Sequence, residues 1–283
     1  MAQSKSAKKG GGSKPDFATL AGIAMALTGI LGGLILEKGQ IQDVVQGTAA
    51  LIVLGGTFGA VLITTPLPVV MRALRGLGGV FFEASTSAAE TIESLVQYAT
   101  KARKNGIVSL ESESASIPDP FFRKALGLAV DGTDLTEMRK MMETDIALAE
   151  QVIEAEAKVW EAAGGYAPTI GIIGAVMGLI QVMKHLEDIK EVGHGIAVAF
   201  VATVYGVGAA NILFLPIASK LRARGQMKIL LKEMVLEGVI GIVEGLNPTL
   251  IRLKLDAYNM QPKAAPKAAK RRPEAVKKEA PAA

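Results

Sequence analysis

The sequence predicts an all-α integral membrane protein with four transmembrane helices and a helical cytoplasmic domain. Half of its 283 residues are hydrophobic, and the mean hydropathy is +0.35 although 20% of the residues are charged. The apolar residues are therefore concentrated in blocks rather than spread along the chain. Four of these blocks are long and free of charge, and a helix is the structure that satisfies its own backbone hydrogen bonds in lipid. Buried core helices of a large soluble protein are the alternative, but four such blocks in pairs argue against it.

The first two blocks predict the first pair of membrane helices. The first spans residues 17–36 and follows a leader, 1–16, that holds four lysines and no apolar stretch, so we expect a flexible cytoplasmic segment rather than a signal peptide. The second block spans 44–70 and has Gly55-Gly56-Thr57 near its centre.

The third and fourth blocks, 166–183 and 195–217, predict the second pair. Both contain small residues at regular spacing, among them Gly174 and Gly178, and such strips predict close packing against a partner helix. Neither block contains an Asp, Glu, Lys or Arg. A chain that moves ions alone usually keeps an acid or base inside the membrane, so any ion-carrying group must come from elsewhere.

The distribution of Lys and Arg predicts the orientation. Arg72 and Arg75 follow the second block, and four more basic residues follow the fourth, whereas the loops at 37–43 and 184–194 carry both signs. Because Lys and Arg accumulate on the cytoplasmic side, both termini and the segment 71–165 are expected inside the cell.

The cytoplasmic segment 71–165 is expected to be helical. Asp134 resembles an N-cap, and apolar residues at helical spacing predict one helix from about 135 to 162 that leads into the third membrane helix. Further helix is expected over 218–258, and the Lys/Ala/Pro-rich tail 259–283 is predicted to be disordered.

The motifs of common enzymes are missing from the sequence. There is no cysteine, and the two histidines, His185 and His194, fall in one short polar loop. We find no nucleophile–base pair, phosphate-binding loop or dinucleotide fingerprint, and therefore expect neither enzyme activity nor a cofactor. The basic tail favours contact with acidic lipid over nucleic acid.

The layout and several short patterns resemble one known family. Over residues 17–258 the chain is similar to the A subunit of flagellar motor stators, the MotA/PomA class of the MotA–TolQ–ExbB superfamily. The patterns that carry the resemblance are Gly55-Gly56-Thr57, Arg103-x-x-Gly106-x-x-x-Leu110-Glu111, Ala167-Pro168-Thr169-x-Gly171-x-x-Gly174, Thr203-x-Tyr205-Gly206, Pro216, Glu237-Gly238 and Glu244-Gly245-x-Asn247-Pro248.

The resemblance implies a partner and an assembly. It implies a pentameric ring in the bacterial inner membrane, built around a dimer of a peptidoglycan-binding B subunit of the MotB type. The single membrane helix of that B subunit supplies an ionisable aspartate. H⁺ flow, or Na⁺ flow in some members, then drives torque on the rotor.

Five residues match the ion pathway and B-subunit contact of the family, namely Pro168, Ala175, Thr203, Tyr205 and Pro216. The prolines would shape the path, although each could simply mark a helix boundary. Thr203 would face the partner aspartate, although a threonine in a helix can also bond to its own backbone. Sodium-driven members carry a threonine where Ala175 stands, which favours H⁺.

Three residues match the contacts that the family makes with the rotor protein FliG, namely Arg103, Lys104 and Glu111. A solvated charged face is the alternative interpretation. Asp145 matches a further acidic position of the family, on the helix that precedes the third membrane block.

Two rival functions are weighed against the stator. An energising subunit of the ExbB/TolQ class usually has three membrane helices and lacks the pattern around Arg103 and Glu111. A stand-alone channel or transporter would need an ionisable or polar lining inside the membrane, and Thr203, Tyr205, Asn211 and Gln181 are thin evidence for one.

Overall fold

The computed structural model describes residues 14–83 and 88–258; the predicted tail and most of the predicted leader, 1–13, lie outside these ranges. The helices are α1 (Phe17–Leu36), α2 (Gly47–Thr64), α3 (Leu67–Gly76), α4 (Gly78–Phe81), α5 (Ala88–Asn105), α6 (Glu111–Ser114), α7 (Pro120–Val130), α8 (Leu135–Lys184), α9 (Ile189–Gly208), α10 (Leu215–Val243) and α11 (Pro248–Leu255). Short 3₁₀ turns cover Ile41–Val44, Ile107–Leu110 and Asp256–Tyr258, and a π-helix covers Ala209–Phe214. The predicted all-helical fold is confirmed, with one small addition: strands β1 (Lys14–Pro15) and β2 (Phe82–Glu83) pair antiparallel.

Four helical segments of the described chain are long and apolar enough to cross a membrane: Phe17–Leu36, Ile41–Thr64, part of Leu135–Lys184 and part of Ile189–Val243. Many of their large apolar side chains point away from the rest of the chain. Leu36 and Ile63, for example, are 85% and 86% exposed. Lipid or other membrane helices are the surroundings in which such surfaces are stable.

The second apolar block is divided, so a single helix over 44–70 is wrong. α2 ends at Thr64, and Thr65 takes an extended conformation with φ −131° and ψ 132°. The cause is Pro66, because a proline disfavours the helical conformation in the residue before it. The chain resumes as α3, an amphipathic helix that carries Arg72 and Arg75 on exposed positions.

α8 is a single helix of 50 residues, as the predicted continuity into the third membrane block requires. Pro168 lies inside this helix, which rules out a helix boundary there. A proline inside a helix leaves the carbonyl four residues earlier, here that of Gly164, without its helical partner. A Cβ on Gly164 would lie 2.6 Å from Leu215 Cδ2, so glycine is what allows Leu215 to pack at this place.

The fourth membrane segment also continues further than 217. α9 passes through the π-helix into α10, and helical structure is unbroken from Ile189 to Val243. Pro216 therefore does not close the helix. Leu215 donates its N–H to the carbonyl of Ala210, five residues back, and this wider turn accommodates a proline that cannot donate.

Two main apolar cores hold the chain together. The first, which we call the polar-domain core, joins α5, α7 and α11 to the charged halves of α8 and α10, with Leu95, Leu126 and Met234 fully buried. The second lies where α2, α3, α8 and α10 meet, around Trp160 and Phe214. α1 stands apart from both, since none of its residues is buried.

Candidate functional site

Helices α8 and α9 touch along their backbones. A Cβ on Gly206 would lie 2.5 Å from the carbonyl oxygen of Ala167, and a Cβ on Gly178 would lie 2.8 Å from the backbone nitrogen of Ala199. Only glycine permits this approach. The prediction that these small-residue strips receive a partner helix is therefore wrong, because the two strips of the same chain fill each other.

Thr203 lies beside this contact, together with two of the other predicted ion-path residues. Its Cα is 3.5 Å from the Cβ position of Gly171 on α8. Pro168 and Ala175 lie about one helical turn to either side of Gly171, and both are half-buried like Thr203. The Thr203 hydroxyl donates to the carbonyl of Ala199 at 3.3 Å, so in the isolated chain it satisfies its own helix.

The remaining two predicted ion-path residues are not part of this group. The Tyr205 hydroxyl donates to the Val44 carbonyl at 2.6 Å and accepts from the Gln46 N–H at 3.2 Å. Tyr205 thus fixes the connection between α1 and α2 to α9. Pro216 is 13 residues beyond Thr203, which is about 20 Å along a helix.

Thr57 is a buried polar residue to which the sequence pattern gave no role. Its side chain is fully buried on α2, and its Oγ1 has no hydrogen-bond partner. The buried residues Val53 and Val61 lie one turn to either side, so Thr57 faces the α8–α9 pair. The sequence signal was its place in the Gly55-Gly56-Thr57 pattern, but sequence alone does not show that the hydroxyl is buried.

The predicted rotor-contact residues lie on a different part of the molecule, at the surface of the polar domain, which consists of α5, α6, α7, α11 and the charged halves of α8 and α10. Arg103 and Lys104 occupy the last turn of α5, and Glu111 begins α6 after a sharp turn at Gly106 with φ +81°. All three side chains are exposed. None of them makes an ion pair or side-chain hydrogen bond with another part of 14–83 or 88–258, in contrast to Lys101, which pairs with Glu113 at 2.5 Å.

Asp145 differs from these three because it has a partner within the chain. Its carboxylate is 2.5 Å from the ammonium group of Lys124, which joins α8 to α7. About a third of its side chain is exposed. The geometry assigns Asp145 a contact between helices.

Asp16 is a structural residue that the sequence interpretation placed in the flexible leader, and that boundary is wrong. Its side chain caps α1 by accepting from the N–H groups of Ala18 and Thr19 at 3.1 and 3.2 Å. It also pairs with Lys220 and Arg224, each at 2.5 Å. The hydrogen bond from Lys220 is the main reason why the pKa of the Asp16 carboxyl lies below its ordinary range.

Comparison with known proteins identifies the family. A model described as the MotA/TolQ/ExbB proton channel family matches residues 113–234, and a model of the Motility protein A N-terminal region matches residues 20–106. Motility protein A of Helicobacter pylori is 36% identical over 243 residues, which are 86% of this chain and 95% of that protein. The chain belongs to the motility protein A family. The match to the N-terminal model favours this family over an ExbB/TolQ-like subunit.

Solved structures extend this likeness to the fold of the chain. The structure of C. jejuni MotAB matches with a TM-score of 0.83 and 32% identity, covering 90% of this chain and 99% of that chain. The flagellar MotAB stator complex from Bacillus subtilis matches with a TM-score of 0.78 and 32% identity, covering 85% and 95%. Together with its four apolar helices, this makes the chain a multi-pass membrane subunit of the flagellar stator type.

Proposed function

We propose that this chain is the A subunit of a stator in the bacterial inner membrane, with both termini in the cytoplasm, and that it couples H⁺ flow to torque without catalysing a reaction. The observation that carries the proposal is the close packing of Thr203 on α9 against Gly171 on α8. Gly171 lies between Pro168 and Ala175, and these membrane segments hold no carboxylate. Such a site is suited to receive an acid but does not supply one.

The acid would come from the membrane helix of a B subunit, as an aspartate beside Thr203, Ala175 and Pro168. A buried carboxylate is costly when charged and tolerable when protonated, so each protonation changes the surroundings that it prefers. The membrane potential supplies about 2.3 kcal/mol per unit charge per 100 mV. The alternation between the protonated and the charged carboxylate would move one subunit relative to the other in steps.

The transported ion is proposed to be H⁺. Na⁺ needs several oxygen ligands, whereas the group formed by Pro168, Ala175 and Thr203 offers one side-chain hydroxyl, that of Thr203, and a methyl group at Ala175. The hydroxyl of Thr203 is already engaged with Ala199 in the isolated chain. This arrangement favours H⁺, an ion that can bind to the carboxylate without further oxygen ligands.

The assembly is proposed to be a pentameric ring around a dimer of the B subunit. The support is the large apolar surface left on α1, α8 and α9, where Met25, Met183 and Phe200 are 76%, 69% and 71% exposed. The polar domain would face the cytoplasm and present Arg103, Lys104 and Glu111 to the rotor protein FliG. Their exposure supports this role, as does the absence of an ion-pair partner for them within residues 14–83 and 88–258.

Ion flux into liposomes tests the proposal. The purified chain alone should give no flux under an imposed potential, whereas the complex with its B subunit should acidify the lumen, with or without Na⁺. Ala175→Leu should abolish flux without loss of assembly, because the bulky side chain fills the space beside Thr203. Ala24→Leu on the exposed face of α1 is the matched control and should conduct normally.

Two outcomes would contradict parts of the proposal. Flux through the chain alone would favour a stand-alone channel. Flux that requires Na⁺ and persists at constant H⁺ would overturn the assignment of the ion.

A further inference from the structure

We infer that a cavity beside Arg103 is an anchor pocket for an apolar side chain of the rotor partner, presented on a helix that carries a carboxylate one turn away. The cavity has a volume of about 360 Å³ and lies at the end of the polar domain where α5, α7 and α10 all terminate. The inference rests on the proposed function and names the chemistry of the partner at that surface.

The cavity exists because three helices end around it in the same way. Gly106, Gly132 and Gly245 follow the ends of α5, α7 and α10 with φ values of +81°, +73° and +70°. Left-handed glycines of this kind close helices and turn the chain aside. Gly132 and Gly245 line the cavity, and a Cβ at either would meet no atom within 4 Å, so the cavity is open beside them.

The floor of the cavity is apolar and built from small side chains. Ala99 and Ala129 are buried, Ala102 is half-buried, and Ile242 and Leu246 add to the apolar lining. Methyl groups leave the space that longer side chains would fill. An apolar side chain of a partner would therefore gain the free energy of transfer from water on entering.

The rim supplies a positive charge without a partner. Arg103 lines the cavity and makes no ion pair within the described part of the chain. Because the negative ends of three helix dipoles converge here, a guanidinium group is stable at this place. Its planar donors remain available to bind a carboxylate in bidentate geometry.

The surroundings of the cavity resemble the centre and rim of a protein interface. Val108 lies on the 3₁₀ turn between Lys104 and Glu111, and its side chain is 64% exposed. An apolar centre ringed by charges is the arrangement in which a few side chains carry most of the binding energy. Residues three or four apart share one face of a helix, so a single partner helix can present both the carboxylate and the apolar anchor.

The absence of cysteine in the chain allows the cavity to be plugged after folding. Thr133 lines the mouth, and Thr133→Cys in the complex with a cysteine-free B subunit can be modified with benzyl methanethiosulfonate. Binding to the purified rotor protein should weaken about tenfold or more and should recover when dithiothreitol removes the benzyl group. Ala89→Cys, on an exposed position of α5, is the matched control and should bind equally before and after modification.

A second pair of variants tests in cells whether filling the cavity stops swimming without disturbing the fold of the protein. Ala102→Leu should fill the cavity and abolish swimming while ion flux stays normal, and Ala102→Ser should swim. Unchanged rotor affinity of the benzylated Thr133→Cys complex, or normal swimming of Ala102→Leu, would overturn the inference. If the unmodified complex neither conducts ions nor binds the rotor protein, the proposed function fails instead.

Discussion

Asp16 ties the start of α1 to a distant part of the chain. It caps α1 and pairs with Lys220 and Arg224 on α10, while Arg224 also donates to the Phe82 carbonyl at 2.6 Å. Because α1 buries no residue of its own, its position depends on this cluster and on the clamp at its other end, where Tyr205 binds Val44. The Asp16 carboxylate thus helps to hold α1 in position, whereas the other helices are held by the packing of buried side chains.

Asp16→Asn should lower the melting temperature of the purified protein, and Asp16→Ala should lower it further. Asparagine still caps a helix, so the first variant removes only the ion pairs, whereas the second also removes the cap. The measurement is thermal unfolding in detergent. Equal melting temperatures for Asp16→Asn and the wild type would show that the ion pairs contribute no stability.

The pH dependence of this effect follows from the lowered pKa of Asp16. A carboxyl with a lowered pKa contributes stability that is present above its unfolded pKa, about 3.9, and lost only as the pH falls through the folded value. The difference between wild type and Asp16→Asn should therefore be constant between about pH 6 and about 8. A difference that shrinks within this range would contradict the assigned pKa.

The place of Asp16 in the sequence shows what a local pattern can and cannot predict. An aspartate just before an apolar block is a recognisable N-cap, but its pairing with Lys220 and Arg224 spans more than 200 residues. The same limit applies to Tyr205 and Val44, which are 161 residues apart. Arg103, Lys104 and Glu111 were predictable as exposed residues because charge and local turn residues decide their environment.

The contact between α8 and α9 depends on residues without side chains. The sequence predicted close helix packing from the small-residue strips but assigned them to a partner helix, whereas the strips of α8 and α9 pack against each other. A strip is equally suited to a helix of the same chain and to one of another, and the choice depends on the short connection of four residues between α8 and α9. The π-helix before Pro216 was likewise hidden, because it is a response to neighbours rather than a pattern of its own.

Gly178→Val should destabilise the chain by about 1–3 kcal/mol, the usual cost of forcing extra carbon atoms into a packed contact. The cause is the backbone of α9, which lies 2.8 Å from the place that a Cβ would take. Unfolding in detergent measures the effect. Gly29→Val is the matched control, since a Cβ on Gly29 in α1 meets no atom within 4 Å. If both variants unfold alike, the α8–α9 contact is not the cause.

The molecule as a whole separates an ion-path region in the membrane from a charged surface on the polar domain. Arg103→Glu or Glu111→Lys should reduce swimming while protein level, assembly and ion flux remain normal. The reason is that both side chains are exposed and form no ion pair or side-chain hydrogen bond with the rest of the described chain. Swimming speed measured together with flux separates loss of rotor contact from loss of conduction.

Lys140→Glu is the control for these reversals, because Lys140 is an exposed residue of α8 in the same domain. It should swim normally. Reversal of the matching charge on the rotor protein should restore part of the motion. Full motility of both Arg103→Glu and Glu111→Lys would leave these residues as parts of a solvated surface.

The two long helical segments have a mechanical consequence. At 1.5 Å per residue, α8 is about 75 Å long, and the segment from α9 to α10 is slightly longer. Arg222 braces them through Glu154 at 2.8 Å, and Arg139 braces them again through Glu237 at 3.1 Å. Each ion pair alone is weak. Two helical segments that are joined at several points along their length nevertheless resist bending together, because bending one segment must stretch or compress the other. A force applied to these segments in the polar domain would therefore tilt both of them as stiff rods and so move their ends in the membrane.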